Sequence, residues 1–510
     1  MGTILSEKDK NIASAKAKSG SYLSKSLYIR GLQCHKSLYL EKFHRDVKDE
    51  ISAETQASFD NGHMVGEAAQ DLFPGGILVP YLETEDGVKE QLRLTDEAMS
   101  NGVEVIYEAS FQHDEIFVKV DILRKGKRGW EIYEVKAGTE LKPVYVDDAA
   151  LQYYVVTGSG VKVGKVFITH VNNEYVREGA LDVQKLFISE DITQQVKEKQ
   201  AYVSGQLKKQ RQMLTKKLLP KIDIGPHCFD PYECDYRDYC WKHIPDDSVF
   251  DLRERGVNQF DLYSRGIIKQ KDIPLDMLNK RQLQQVVATL KKQNTIDKKK
   301  IGDFLETISY PLYFLDFETF TSAVPLYDGI KPYQHVPFQY SLHYQKTKGG
   351  ELYHTEFLAE PGTDPRKPLL ERLLKDIPED VCILAYNMTF EKRVLSELAA
   401  YFPENRKTIE KRIERIRDLM VPFRQRDFYH WRFKGSYSIK KVLPVLVAEL
   451  SYEGLEIADG GAAMDAYHQM YAVKDQPEEL EKLRKDLLAY CRLDTLAMVR
   501  ILDVLGDIGT

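Results

Sequence analysis

The sequence predicts an α/β protein with two domains and a helical connector between them. Three observations lead to this interpretation. Apolar and polar residues alternate with period two between residues 104 and 139, which predicts adjacent strands. Short polar helices dominate residues 246–300, and a second series of strands and helices begins beyond residue 308. Because 510 residues are too many for one core, we place the domains at 1–245 and 306–510, with the connector at 246–305.

In the first half, the residue pattern predicts helices before the strands and again after them. Residues 20–75 read as helices, and residues 147–159 form an amphipathic helix directly after the strands. An apolar strand is predicted at 162–171, and the span 181–220 reads as helical.

In the second half, apolar segments predict a sheet that is followed by helices. The predicted strands lie at residues 312–319, 337–345, 351–359 and 381–387. A helix is expected at residues 365–377 and a long one over residues 480–505.

The composition favours a cytoplasmic protein that does not enter membranes. Hydrophobic residues make up 43% and charged residues 29% of the chain, and no apolar run approaches the roughly 18 residues that span a bilayer. The first residues are polar and contain several lysines, without the apolar segment of a secretory signal. In this compartment the six cysteines are expected as thiols or metal ligands rather than disulfides.

A basic and aromatic segment in the second half suggests a nucleic-acid surface. Residues 406–441 hold twelve Lys or Arg against four Asp or Glu, with aromatic residues interleaved. Such a mixture suits a phosphate backbone and stacked bases, although a solvated basic helix fits equally well. Within it we expect Tyr437, Lys440 and Lys441 to contact a bound strand, or Ser438 to cap a helix.

Acidic residues interrupt the apolar segments of the second half at three places. Asp316 and Glu318 stand one residue apart on a predicted strand, so both lie on the same face. Glu391 begins a helix, and Asp494 lies on the last helix. Four converging carboxylates would hold two divalent cations, as a phosphodiester displacement requires, and carboxylate ligands favour Mg²⁺ or Mn²⁺.

These three segments resemble the motifs of DnaQ-like 3′–5′ exonucleases, which have an RNase H-like fold with a mixed sheet. The D-x-E strand, the stretch from Asn387 to Glu391 and the Y-x-x-x-D of the last helix occur in the family's order. Tyr490 matches the DEDDy branch, in which a tyrosine positions the attacking water. The resemblance implies catalytic and metal-binding roles for the four carboxylates, with Glu391 standing where the family has Asp. The alternative is the same fold with a degraded site.

A second group of polar residues lies in the first half. Asp121 lies on one predicted strand, and Glu134 and Lys136 share a face of the next. Two carboxylates would hold Mg²⁺ while a lysine stabilises charge on the phosphate, but an E-x-K strand alone is more often a surface ion pair. With Gln152 on the following helix and Glu67 on an earlier one, the order resembles RecB-type PD-(D/E)xK nucleases, which have a restriction-endonuclease fold. The resemblance implies Glu67, Asp121 and Glu134 as metal ligands, with Lys136 and Gln152 in the catalytic set.

The cysteines extend this resemblance. Cys34 precedes the motifs, and Cys228, Cys234 and Cys240 follow them, as in the iron–sulfur RecB-like nucleases. There, four thiolates bind a [4Fe–4S] cluster that joins the two ends of the domain. Tetrahedral Zn²⁺ remains an alternative, as do free thiols.

The combined pattern resembles bacterial proteins in which an iron–sulfur RecB-like nuclease domain precedes a DnaQ-like domain. It implies a metal-dependent nuclease with two sites, acting on DNA single strands or ends in preference to RNA. An RNA exonuclease and a nucleic-acid-binding or assembly protein with one or both sites inactive are the alternatives.

Overall fold

The computed structural model describes residues 23–82 and 84–509 and divides into two compact units. The first unit runs to His243 and also contains Ser322–Tyr333; the second comprises Ile244–Thr321 and Gln334–Thr510. Residues 246–305, expected as a separate connector, therefore belong to the second unit. The expected lack of a signal segment concerns residues 1–22, which lie outside the described residues.

The first unit is built on a seven-stranded mixed sheet with the order β2-β3-β4-β5-β6-β7, and β1 pairs with β4. The strands are β1 (Leu23–Ser24), β2 (Ile77–Leu78), β3 (Val105–His113), β4 (Ile116–Gly126), β5 (Gly129–Lys136), β6 (Val163–Val171) and β7 (Phe187–Asp191). The helices are α1 (Lys25–Gln33), α2 (His35–Phe43), α3 (Ala53–Gln70), α4 (Glu85–Ser100), α5 (Pro143–Gly158), α6 (Val183–Leu186), α7 (Thr193–Glu198), α8 (Gln200–Thr215) and α9 (Arg237–Trp241).

Helix α5 lies at the centre of this unit because it is apolar on most of its surface. Its residues Ala149, Leu151 and Val155 are fully buried in the main core of the unit. The helix packs against α1, α7 and α8 as well as the sheet. Two polar residues of α5, Asp148 and Gln152, are nevertheless buried; unpaired, they would be costly, so they need partners inside the unit.

The short segment Ser322–Tyr333 is held in the first unit by hydrogen bonds from side chains to backbone carbonyl oxygens. Arg177 donates from Nη1 to the carbonyl oxygens of Pro325 and Leu326, at 2.8 and 2.9 Å. At the end of the segment, the Tyr333 hydroxyl donates to the carbonyl oxygen of Ala137, the residue that follows β5.

The second unit is built on a five-stranded mixed sheet with the order β11-β10-β9-β12-β13, in which β10 is antiparallel to both neighbours and β9, β12 and β13 are parallel. The strands are β8 (Thr295–Ile296), β9 (Leu312–Phe320), β10 (Val336–Gln345), β11 (Leu352–Leu358), β12 (Cys382–Ala385), β13 (Ile416–Asp418) and β14 (Phe428–Tyr429), with β8 and β14 forming a separate pair. The helices are α10 (Gln259–Ser264), α11 (Lys280–Lys291), α12 (Lys298–Leu305), α13 (Arg366–Asp376), α14 (Met388–Tyr401), α15 (Arg406–Glu414), α16 (Val421–Arg424), α17 (Ile439–Leu446), α18 (Gly460–Ala472) and α19 (Pro477–Gly509).

The central strand β9 is buried on both faces. Phe314 packs into one core together with Met498 and Leu505 of α19, whereas Leu315 packs into the other with residues of α13 and α14. Helix α19, with 33 residues, contacts both β9 and β10. Any charged group on β9 is thereby held next to α19.

The structure agrees with the predicted α/β class, and two of its differences from the sequence-based elements have a clear physical reason. Helix α4 had not been predicted, because eight of its sixteen residues are charged or amide side chains that mask its apolar stripe. The strand β7 lies within 181–220, which was expected to be helical; its antiparallel pairing with β6 overrides the helical tendency of the span. Among the described residues, no helix is both long and apolar enough to cross a membrane.

Candidate functional site

The acidic residues of the second unit line one cavity of about 480 Å³. Its walls come from β9, α14, α17, α18 and α19, and include Asp316, Glu318, Glu391, Asp494 and Tyr490. Asp316 is half-buried, whereas Glu318, Glu391 and Asp494 are buried. The structure thus brings together all five residues expected for this site.

Burial, together with repulsion between neighbouring carboxylates, disfavours the ionised state of these carboxyl groups. Burial and the charges of the neighbouring carboxylates raise the pKa of Asp316 and of Glu318 well above the ordinary range. Burial also raises the pKa of Asp494 to about 6, although hydrogen bonds from Tyr452 and Tyr490 act in the opposite direction. Divalent cations would relieve this repulsion.

Glu391 is positioned by the turn between β12 and α14. Asn387, the residue before the helix, has φ of +74°, a conformation that Asn tolerates better than most residues. The backbone N–H of Asn387 donates a hydrogen bond to Asp418 Oδ1 at 3.0 Å, and this bond fixes the turn. Burial, followed by the charge of Asp418, raises the pKa of Glu391 to about 8. Its Oε2 atom is buried with no hydrogen-bond partner among the described residues.

Cys491 adds a thiol to this carboxylate site. Its Sγ lies 3.6 Å from Asp316 Oδ2, and potential ligand atoms of Asp316, Glu318 and Cys491 all lie within 4.8 Å of one another. Among the described residues, neither Glu391 nor Asp494 has a potential ligand atom within this distance of all three. The closest set of potential metal ligands therefore contains one thiol, that of Cys491.

Two further side chains near the carboxylates were not predicted to interact with them. The Tyr452 hydroxyl donates to Asp494 Oδ1 at 2.5 Å. Lys440, expected only as a strand contact, lines the cavity at 6.0 and 5.9 Å from the ring centres of Tyr452 and Tyr490. Its positive charge lowers the pKa of Glu318 and of Asp494, against the larger effect of burial.

Glu134 is the centre of the second polar site, in the first unit. It is 1% exposed and receives hydrogen bonds from three side chains. Lys136 Nζ lies 2.5 Å and Lys25 Nζ 2.8 Å from its Oε1, and Gln152 Nε2 donates to its Oε2. Although burial acts in the opposite direction, the two lysines hold the pKa of Glu134 below its usual range.

Asp121 lies beside this group on the neighbouring strand. Its Oδ2 accepts a hydrogen bond of 2.6 Å from the backbone amide of Val135, the residue after Glu134. Burial and the charge of Glu134 raise the pKa of Asp121 to about 8. The structure thus brings Asp121 to Glu134, Lys136 and Gln152, as expected.

Glu67 is placed differently from the rest of the predicted set. It is exposed on α3, and no contact among the described residues joins it to Glu134 or Asp121. The reason is helical geometry. Val65 and Ala69 are fully buried against the sheet. Because Glu67 lies two positions from each of them on α3, its side chain points away from the face that they share.

Two residues of this site had not been predicted. Lys25 begins α1, and Asp148 precedes Gln152 by one helical turn on α5. Lys136 Nζ lies 2.6 Å from Asp148 Oδ2, and Lys25 Nζ lies 3.7 Å from Asp148 Oδ1. For Asp148 a sequence signal existed, since residues four apart share a helix face.

The four cysteines expected to form a cluster line one small cavity. Cys34 caps the end of α1, and Cys228, Cys234 and Cys240 come from the segment 226–241. Burial raises the pKa of the Cys34 thiol, and the charges of Cys234 and Cys228 act in the same direction. The remaining two cysteines, Cys382 and Cys491, are buried in the second unit.

Protein contacts also join this segment to the N-terminal helices. Arg30 of α1 lies 2.6 Å from Asp235, and Lys48 Nζ lies 3.1 Å from the same carboxylate oxygen. Gln33 Nε2 donates to the carbonyl oxygens of His227 and Tyr232, at 2.8 and 2.6 Å. Cys34 is thereby held at the cysteine segment by contacts that involve no thiol.

Comparisons with known proteins match only part of the chain. The family described as "Domain of unknown function (DUF2779)" matches residues 313–438. This range contains Asp316, Glu318 and Glu391 but ends before Asp494.

Two curated relatives come from mycoplasmas. The Mycoplasma pneumoniae protein "Uncharacterized protein MG366 homolog" is 25% identical over 212 residues, which are 37% of this chain and 31% of the relative. The Mycoplasma genitalium protein "Uncharacterized protein MG366" is 22% identical over 232 residues, 42% of this chain and 33% of the relative. The chain spans about a third of the length of these relatives.

Proposed function

We propose that this protein is a metal-dependent nuclease with two sites that hydrolyse phosphodiester bonds in DNA. The observation that carries the proposal is the convergence of Asp316, Glu318, Glu391 and Asp494 on one cavity with Tyr490. Buried carboxylates with raised pKa values are costly unless cations compensate them. The strand order of the five-stranded sheet supports the RNase H-like part of the proposal, and the Glu134 group supports the RecB-like part.

The cavity of the second unit would act as a 3′–5′ exonuclease site. Mg²⁺ or Mn²⁺ held by its carboxylates would activate water and stabilise the leaving oxygen. Tyr490 would orient the attacking water from the face of α19 that it shares with Asp494. Lys440 would bind a phosphate oxygen, since it lines the same cavity with its ammonium group near two tyrosine rings.

The site of the first unit would cut or trim single-stranded ends. Asp121 and Glu134 would hold the cation, and Lys136 would stabilise charge on the phosphate. Gln152 orients Glu134 through its side-chain amide. Glu67 is exposed on α3. To act as a metal ligand, its side chain would have to turn toward Asp121 on β4 and Glu134 on β5.

A [4Fe–4S] cluster on Cys34, Cys228, Cys234 and Cys240 completes the proposal, and it fits because these four thiols line one cavity. Protein purified without oxygen should absorb broadly at about 400 nm. Cys34→Ser should remove the band, whereas Cys382→Ser, in the other unit, should keep it. A colourless protein with bound zinc would favour the tetrahedral alternative. We propose a cytoplasmic location as well, because thiols that bind a cluster are typical of a reducing compartment.

The nuclease proposal is tested with end-labelled DNA and RNA of one sequence. In a background carrying Glu134→Gln and Lys136→Met, Mg²⁺-dependent release of nucleotides from the 3′ end should persist and should disappear on adding Asp316→Ala. Release that continues in the triple variant would refute the C-terminal assignment. Preference for the RNA substrate would support an RNA exonuclease, and binding without metal or product would support a protein with inactive sites.

A further inference from the structure

Lys25 occupies an unusual position beside Glu134. A lysine already contacts this carboxylate from the E-x-K strand, and Lys25 approaches the same oxygen atom from another element, the first residue of α1. Its ammonium group lies between Glu134 and Asp148, at 2.8 and 3.7 Å from their oxygens. A cation between two carboxylates is the arrangement that a bound metal ion would otherwise provide.

The charges of this group indicate how many metal ions the site would accept. When a bound cation has displaced their protons, Asp121, Glu134 and Asp148 would contribute three negative charges, and Lys25 and Lys136 contribute two positive ones. One divalent cation would leave a single positive charge, which complements one phosphodiester. A second divalent cation would leave three positive charges in a buried site, where like charges repel strongly.

The position of Lys25 is fixed from both ends of its helix. Ser24 caps the beginning of α1, its Oγ accepting a hydrogen bond from Leu27 N. The other end is held by Cys34 and by the Arg30 contact to Asp235. The ammonium group is therefore placed at Glu134 by a rigid element and not by a mobile loop.

We propose that the N-terminal site takes a single divalent cation, and that Lys25 is the positioning residue that carries the second positive charge beside Glu134. The inference rests on the proposed nuclease function and goes beyond it by fixing the metal stoichiometry and naming the residue responsible. Asp148 holds both lysines in place through its two carboxylate oxygens.

The test counts Mn²⁺ ions in the full-length protein by electron paramagnetic resonance and measures DNA cleavage in parallel. The background carries Asp316→Asn and Glu318→Gln to disable the other site. Ions of the N-terminal site are those lost when Asp121→Asn and Glu134→Gln are added. Lys25→Met and Lys25→Arg are compared with Lys89→Met, which removes an exposed lysine of α4 that forms an ion pair with Asp86.

We expect one Mn²⁺ ion in the background protein, in Lys25→Arg and in Lys89→Met, and two in Lys25→Met. Cleavage by Lys25→Met should fall about 100-fold at limiting Mn²⁺ and recover at high Mn²⁺, because a second ion can then replace the ammonium group. A residue with a merely structural role would give a loss that Mn²⁺ does not restore.

Four outcomes overturn the inference. Two ions in the presence of Lys25, or a Lys25→Met protein with unchanged Mn²⁺ dependence, would refute it while leaving the nuclease proposal intact. A loss of cleavage that high Mn²⁺ does not restore would show Lys25 to be structural. A site that binds no Mn²⁺ and cleaves nothing would remove both the inference and the proposed function of the first unit.

Discussion

Replacing Glu391 by Gln should raise the stability of the metal-free second unit at pH 8 while abolishing its nuclease activity. Glu391 is 2% exposed, and its Oε2 atom lacks a hydrogen-bond partner among the described residues. Burial, with the charge of Asp418, raises its pKa from 4.5 to about 8. Gln has nearly the same shape and carries no charge, so it removes the cost of ionisation together with a proposed metal ligand.

The sign of the pH dependence follows from proton linkage. Between pH 4.5 and about 8 the folded protein retains a proton on Glu391 that the unfolded chain has released. The free energy of unfolding therefore falls as the pH rises through this window and is recovered on acidification. The difference between these two pKa values corresponds to a loss of at most about 5 kcal/mol in the free energy of unfolding. Since the effective dielectric of real interiors reduces such effects, we expect a difference of about 2 kcal/mol between variant and parent at pH 8.

The assay must report on the second unit alone, because the chain has two units that need not unfold together. Urea unfolding in EDTA, followed by hydrogen exchange in peptides from Leu312–Phe320 and Met388–Tyr401, meets this need. In EDTA, the second unit of Glu391→Gln should be more stable than that of the parent at pH 8 and equally stable at pH 5. Added Mg²⁺ should stabilise the parent more than the variant. The exposed Glu404, changed to Gln, serves as the control. Equal stability of Glu391→Gln and the parent at pH 8 would refute the reasoning.

Two further substitutions test contacts seen in the structure. Tyr452→Phe removes a hydrogen bond to Asp494 and should raise the Mn²⁺ concentration needed for 3′-end degradation about tenfold; an unchanged requirement would show that this bond does not position the carboxylate. Gly31→Ala would bring a Cβ within 2.4 Å of the buried Gln210 side chain and should destabilise the first unit by about 1–3 kcal/mol in thermal unfolding. Gly205→Ala, on a helix where nothing lies within 4 Å, should not destabilise the protein; equal effects of the two changes would contradict the packing argument.

The sequence was sufficient to predict those site residues that lie on helices or strands and follow a local spacing pattern. Asp316 and Glu318 are spaced for one face of a strand, and Tyr490 and Asp494 for one face of a helix, so the pattern indicated their directions before their surroundings were known. The order of the three segments then indicated that they converge, and in the structure they line one cavity.

Residues whose role depends on long-range contacts could not be predicted in this way. Lys25 is 109 positions from Glu134, and Tyr452 lies outside the helices and strands, 42 positions before Asp494. Neither belongs to a periodic pattern that points to its partner. Cys491 follows Tyr490 directly in the sequence, but only the packing of α19 against β9 shows that its thiol faces Asp316.

The two sites compensate buried carboxylates in different ways. In the first unit, Glu134 stays ionised because Lys25 and Lys136 lie within 2.8 Å of its oxygen. In the second unit, burial and the charge of Asp418 raise the pKa of Glu391 to about 8, so without a cation this carboxyl group favours its neutral form at pH 7. Metal binding there must displace protons, and its affinity should rise with pH. Around Glu134 a metal ion meets a carboxylate that is already ionised, so it competes with ammonium groups for the oxygens instead of with a proton.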